Sequence, residues 1–225
     1  MIFSRTRIVA GVTTILLSGF EPFAGAARNP SWDAVQSVAA AWEGAADLQT
    51  LLLPVAFERA GHLLRDAIAS FVPDIVIATG LAEGRAALTP ERVAVNLDDA
   101  RIPDADGAQP VDRPSVPGGP AAFFSTLPVK RMVAAAQAAG APAALSSTAG
   151  GYVCNHVFTV LQSITAGSPV RSGFVHVPAT PETSPANNDG TPVVALHLIA
   201  AGLRAMVDAA LDPAPDTAVP AGAIA

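Results

Sequence analysis

The sequence predicts an α/β protein, a three-layer α/β/α sandwich around a largely parallel, mixed sheet. Three observations carry this. Short runs rich in Ile, Val and Leu alternate along the chain with segments whose apolar residues recur at helical spacing. Such alternation builds parallel sheets, because each parallel pair needs a crossover that returns over one face. Polar, Gly-containing segments follow the strands, over 19–29, 80–85, 146–155 and from His176 onward. These are the positions at which open α/β sheets bind ligands.

The elements follow in order. Thr13 to Leu17 is a buried first strand. Asn29-Pro30 opens a helix, with Asn as cap and Pro at the first helical position, and Trp32, Val35, Ala39 and Trp42 mark its apolar face. Leu48 to Val55 is a second strand, and Phe57, Ala60, Leu64, Ala67, Ile68 and Phe71 mark a second helix that Pro73-Asp74 stops. Ile75 to Thr79 is a third, fully buried strand, and Val93, Val95 and Leu97 alternate as in a half-buried one. From Arg101 to Gly119 the chain is rich in Pro, Gly and Asp and reads as a long functional loop. A helix over Val129 to Ala139 ends at Gly140, and Ala143 to Ser147 reads as a strand. Val153, Val157, Val160, Leu161 and Ile164 form a helical stripe, Gly173 to Val177 a strand, and Thr191-Pro192 opens a last helix that runs to about Leu211.

Within 225 residues this makes one domain, 13–211, between an N-terminal extension (1–12) expected to be frayed or disordered and a Pro/Ala-rich tail (212–225) expected to be disordered. Arg5 and Arg7 before the apolar run Ile8–Leu17 resemble the outline of a secretory signal, but Gly19-Phe-Glu-Pro-Phe23 sits oddly in a discarded peptide, so the strand reading is preferred. Only 14% of residues are charged, against roughly 25% in ordinary domains, which argues against disorder and coiled coils. A net charge of −6 without a Lys/Arg run excludes a nucleic-acid partner. No apolar run reaches the ~18 residues a membrane helix needs. The single cysteine, Cys154, excludes an internal disulfide and Cys-pair zinc sites, and a lone thiol fits a reducing compartment, the cytoplasm.

Cys154 starts the helix that follows Thr148-Ala-Gly-Gly151. Free N–H groups and the positive dipole end there favour an anion, so a lowered thiol pKa is expected. The glycine pair would let backbone amides approach a substrate carbonyl oxygen. Of four histidines, His62 and His197 fall in helix interiors, and His156, two residues from Cys154 on one helix, cannot face it. His176, at a strand end opening onto the same edge, is the best partner. For a carboxylate to orient it, Glu21, Glu83, Glu91, Asp98, Asp99, Asp104 and Glu182 are all open. Phe20 and Phe23, around Pro22 at a strand end, could sandwich a small flat ring.

Six blocks together resemble the pyroglutamyl peptidase I (pyrrolidone-carboxylate peptidase) family of cysteine peptidases: Ser18-Gly-Phe-Glu-Pro-Phe23, Asn29-Pro-Ser-Trp32, Thr89-Pro-Glu-Arg-Val-Ala-Val-Asn96, Ala100-Arg-Ile-Pro-Asp104, Thr148-Ala-Gly-Gly-Tyr-Val-Cys-Asn-His156 and Gly173-Phe-Val-His-Val-Pro178. They run in the family's order and cover most of the chain from Ser18 to about Glu182. The resemblance implies a phosphorylase/hydrolase-like sandwich. It also implies removal of an N-terminal pyroglutamyl (5-oxoprolyl) residue from peptides without a metal or cofactor, by a homotetramer. Residue by residue it implies Cys154 as nucleophile, His176 as base and Glu91 as the third member. It further implies Phe20 and Phe23 as clamps on the lactam ring, with Asn29, Arg101 and Val153 at the substrate.

The chain departs from the family's usual pattern at Leu81 and Glu83, where Gln and Gly are common, at Ala24, where Gly is usual, and at Gly151-Tyr152, where Thr-Phe is common. A carboxylate beside the site would weaken a thiolate if it pointed inward. This motivates a second reading, a non-catalytic or altered-specificity binder of small cyclic or acidic ligands. A third, a nucleoside- or phosphate-binding α/β protein, has neither Gly-x-Gly-x-x-Gly nor a Lys-Ser/Thr phosphate loop to support it.

Overall fold

The structure is a computed structural model and describes residues 11–183 and 190–221; the expected N-terminal extension lies, up to residue 10, outside them. Its elements are β1 (Thr14–Phe20), α1 (Pro30–Ala40), β2 (Asp47–Leu53), α2 (Phe57–Phe71), β3 (Ile75–Leu81), β4 (Thr89–Pro90), β5 (Val93–Val95), β6 (Ala122–Phe124), α3 (Val129–Ala138), α4 (Val153–Thr165), β7 (Arg171–Val177) and α5 (Leu196–Leu211). The main sheet has the order β2-β1-β3-β7-β4. β1 pairs in parallel with β2 and β3, and β3 with β7, whereas β4 runs antiparallel to β7.

Period-2 alternation along the central strands fills two cores. Ile15, Leu17, Ile77 and Val175 face one side, against Val35 of α1, Met132 of α3 and Leu203 of α5. Leu16, Val76 and Phe174 face the other, against Leu64 of α2 and Val157 and Leu161 of α4. Each such side chain contributes about 1.5–3 kcal/mol when fully buried. The result is the three-layer sandwich, mostly parallel and mixed only by β4.

Helix starts are specified one by one. Asn29 caps α1, its Oδ1 accepting from the Ser31 N–H at 3.1 Å with Pro30 behind it. Gly19 lets α1 begin hard against β1, since a Cβ there would stand 2.8 Å from the Trp32 nitrogen. α2 has Ala56 at its cap position, and the missing oxygen comes from Asp104, whose Oδ2 accepts the Phe57 N–H at 2.9 Å. α3 is capped from the C-terminal segment: the Asp216 carboxylate accepts from the N–H groups of Lys130 and Arg131. The disorder expected from residue 212 is therefore not what 212–219 show; Arg131 also donates to Asp212 and Lys130 to the Val219 carbonyl.

Two expectations are corrected and one is refined. The strand expected over Ala143–Ser147 is reduced to bridges, Leu88 with Ala143 and Glu91 with Ser146, because its partner β4 is two residues long and ends on Pro90, which has no N–H to donate. The expected strand at Val93 forms as the short β5, which ends at Val95 and lies outside the main sheet, paired with β6 in a hairpin across the long loop. The last helix begins at Leu196 rather than Thr191: Val194 donates to the Ala179 carbonyl, which keeps that stretch extended.

Candidate active site

The carboxyl ends of β1, β3 and β7 and the start of α4 meet at one edge of the sheet, bringing Phe20, Gly80, His176 and Cys154 together. The register sets Gly80 directly opposite His176 on neighbouring strands, about 4.8 Å apart in the hydrogen-bonding direction. The Cys154 sulfur lies over Gly80: a Cβ on that glycine would come within 2.7 Å of Sγ and 2.9 Å of Phe174 Cζ. His176 shares the strand face of Phe174, their rings 4.9 Å apart, so thiol and imidazole occupy the same side of the sheet. Any larger residue at position 80 would push the sulfur off the strand.

Glu91, just beyond β4, reaches the imidazole from the next strand. Its backbone is fixed by an N–H bond to the Phe174 carbonyl at 2.9 Å, and its Oε1 accepts from His176 Nδ1 at 2.8 Å. A proton held on Nδ1 leaves Nε2 free to accept one. Arg85 donates to the same Oε1 at 2.6 Å and to the Thr148 carbonyl at 2.8 Å. Glu91 and His176 are buried.

Burial dominates the electrostatics. It pushes the Cys154 thiol up to about 12, with the Glu91 charge adding to the effect and Arg85 opposing it. Burial also lowers the His176 pKa, partly offset by its bond to Glu91. The lowered thiol pKa expected from the helix terminus is thus outweighed, because the surroundings are apolar and the adjacent fixed charge is a carboxylate. At neutral pH the resting pair is a thiol beside a neutral imidazole. The thiol's folded pKa lies above its usual value, so thiolate forms only as pH rises well past 9. The ultraviolet thiolate absorbance of the wild type, referenced to Cys154→Ser, should therefore be absent at pH 8; a step near neutrality would show a preformed ion pair instead.

A cavity of about 340 Å³ opens from the sulfur to solvent, and Phe20, Phe23, Asn29, Arg101, Val153 and Cys154 all line it. α4 starts with the N–H groups of Val153, Cys154 and Asn155 before its first intrahelical bond, from His156 to the Tyr152 carbonyl. These amides are the ones the helix start leaves free for a carbonyl oxygen. Gly150 is in the left-handed region and donates to Thr148 Oγ1, while the Gly151 carbonyl takes the Asp99 N–H. The Asn29 side chain is already committed, its amide donating to the Glu21 carbonyl at 2.9 Å and its oxygen capping α1, so it shapes the Phe20–Phe23 turn. Arg101 is exposed at the rim.

Glu83 also lines the cavity but is exposed, and Leu81 is half-buried. The carboxylate sits in water at the mouth, where its charge is screened. Glu83→Gly should therefore leave kcat/KM equal or slightly higher; a large loss would give this carboxylate a role in binding. Ala24, at φ +52°, holds the left-handed turn after Phe23 that a glycine would adopt without strain.

The remaining histidine near the nucleophile points elsewhere. His156 Nδ1 bonds Asp98 Oδ2 at 2.9 Å and its ring packs edge-on to Phe57 of α2. Asp98 in turn accepts from Ser115 Oγ, so this pair straps the long loop to α4. Sequence reasoning missed Arg85 and Tyr152. Arg85 lies two residues after Glu83, in the segment that departs from the family's usual pattern, and no motif there gives it a role. Tyr152 lines the cavity, its ring tilted against Phe23 with the centroids 6.2 Å apart and its hydroxyl donating to the Pro103 carbonyl at 3.0 Å. Its aromatic ring directly before Val153-Cys154 was the available signal. Among the described residues no cluster of His, Cys, Asp and Glu is placed to hold a metal.

The profile of the family described as Pyroglutamyl peptidase matches residues 13–213. The pyrrolidone-carboxylate peptidase of Clavibacter michiganensis is 49% identical over 212 residues, covering 94% of this chain and 99% of that one. That of Streptomyces coelicolor is 49% identical over 202 residues, covering 88% and 92%. The crystal structure of pyroglutamyl peptidase I from Bacillus amyloliquefaciens superposes with a TM-score of 0.88 at 40% identity, covering 93% of this chain and all of that one.

Proposed function

Because the chain belongs to the pyroglutamyl peptidase family, we propose that it is a cysteine peptidase that removes an N-terminal 5-oxoprolyl residue from peptides through a thioester. The observation that carries this reading is the Cys154 sulfur lying over Gly80, beside a His176 whose other nitrogen is bonded to Glu91.

The substrate's lactam ring lies between Phe20 and Phe23, with Val153 and Tyr152 closing the slot. Such a slot suits an uncharged ring and rejects an ordinary N-terminus, since burying an unpaired ammonium costs several kcal/mol. As Sγ attacks the acyl carbon of the scissile amide, its proton passes to Nε2 of His176, and the carbonyl oxygen becomes an oxyanion facing the free amides of α4. Charge thus appears on the sulfur only during attack, which a neutral resting thiol requires. Glu91 stabilises the imidazolium that forms. That imidazolium protonates the departing amine, and the thioester remains. Water then attacks with His176 as base, releasing 5-oxoproline and returning the proton to the sulfur. Arg101, at the rim, adds positive charge near the oxyanion. No step calls for a metal or cofactor.

The test is hydrolysis of a 5-oxoprolyl arylamide. Wild type should turn over steadily and Cys154→Ala should not; a Cys154→Ala enzyme as fast as wild type would remove Cys154 as the nucleophile, and binding without turnover in both would favour the non-catalytic reading. The lone free thiol supports a reducing compartment, the cytoplasm. No helix among the described residues is long and apolar enough to cross a membrane. The low charged fraction, together with Phe124 72% exposed on β6, supports a homo-oligomer, a tetramer by family. Light scattering at a monomer's mass would refute the oligomer.

A further inference from the structure

We infer that Arg85 is a positioning residue of this centre, one guanidinium that clamps Glu91 to the loop leading into the nucleophile. The inference rests on the peptidase reading. Nη1 bonds both Thr89 Oγ1 and Glu91 Oε1, and Nη2 bonds the Thr148 carbonyl, six residues before Cys154. Arg85 does not line the cavity, so it acts through Glu91 and the loop.

The carboxylate depends on this contact. Glu91 is fully buried, its Oε2 has no hydrogen-bond partner, and both bonds it accepts fall on Oε1, from His176 and Arg85. Among the described residues Arg85 makes its only ion pair with a permanently charged group. Without Arg85 that carboxylate would be held through the single bond from His176 and would be free to turn. A carboxylate that turns away would no longer fix the acceptor that keeps the His176 proton on Nδ1, and Nε2 would lose its assignment as base. Through Thr148 the same side chain fixes the approach of the 148–153 turn, and with it the height of Cys154 over Gly80.

The titratable groups facing His176 are Glu91 beyond β4, Arg85 on the β3–β4 loop and Cys154 on α4; β3 presents Gly80 and no charge. The Arg85 charge lowers the His176 pKa. Its removal therefore raises that pKa and moves the acid limb of kcat/KM to higher pH.

The experiment compares wild type, Arg85→Ala and Arg85→Lys on a 5-oxoprolyl arylamide across pH, with and without added guanidinium. In Arg85→Ala, kcat should fall about tenfold to hundredfold, as for residues that orient a catalytic group, with KM within about twofold. The acid limb should shift up, and guanidinium should restore part of kcat. Unchanged kcat, or a loss with an unmoved limb and no rescue, would overturn the inference. Should the alanine variant fail to fold, Arg85→Lys decides: it keeps the charge and loses the fork to Thr148, so kcat falls several-fold with the limb in place, and an unchanged kcat overturns the inference. Failure of the peptidase reading would show separately, in wild type and Cys154→Ala.

Discussion

Replacing His176 by alanine lowers kcat by about 10²–10⁴-fold, the usual contribution of a positioned general base. The neutral resting thiol makes this loss severe. Cys154 has its pKa raised to about 12 by burial and so carries almost no thiolate at neutral pH. Without an acceptor at Nε2 the attack has nowhere to send its proton. The ring is not a substrate contact, so KM should change little. His156→Ala is the control, since that ring is bonded to Asp98 and packed on Phe57, away from the sulfur. It should cost stability through the stranded Asp98 carboxylate while the surviving folded enzyme keeps its kcat. Steady-state rates on a 5-oxoprolyl arylamide, with melting curves for each variant, separate the two; near-normal kcat in His176→Ala would remove it as the base.

Gly80→Ala is the second large effect, and it tests the geometry without touching a reactive group. The new methyl carbon would stand 2.7 Å from Sγ and 2.9 Å from Phe174 Cζ, both closer than van der Waals contact allows. Neither atom gives way cheaply: Phe174 is 1% exposed in the core, and Cys154 is held on the first turn of α4. Overpacking of this kind costs about 1–3 kcal/mol. Displacing the nucleophile by about 1 Å costs on the order of 10²-fold in rate. Denaturant unfolding and kcat should both register the change, and a variant with wild-type kcat would mean the sulfur does not react from its position over β3.

Most of the scaffold was legible because its signals are local. The run Ile75–Thr79 is apolar on both faces and can only be a central strand; Asn29-Pro30 carries the chemistry of a helix start in two residues. The errors fall where a partner decides. Whether 143–147 forms a strand depends on a neighbour broken by Pro90, and whether Thr191 starts a helix depends on Ala179, which holds the segment extended. Tail residues such as Asp216 look unstructured alone and gain order by capping α3.

At the site the same division holds. Cys154 and His176 could be chosen from their places at a helix start and a strand end. Glu91 could not be told from six other carboxylates, because its bond to His176 spans 85 positions and no local pattern encodes it; only the family resemblance singled it out. The Cys154 pKa went the other way from expectation because a helix terminus is visible in sequence and the surrounding desolvation is not. Asn29 likewise spends its amide on Glu21 rather than on the cavity, a bond that spacing alone does not reveal.

The central claim is that one thiol, at the end of a slot shaped for an uncharged lactam, forms the covalent bond. It is tested most directly by treating the enzyme with the chloromethyl ketone of 5-oxoproline beside that of proline, then reading inactivation and the labelled peptide by mass spectrometry. The account predicts rapid, complete inactivation by the 5-oxoprolyl reagent with a single label on Cys154, and little effect from the charged prolyl one. A label on any other residue, or equal inactivation by both reagents, would contradict it.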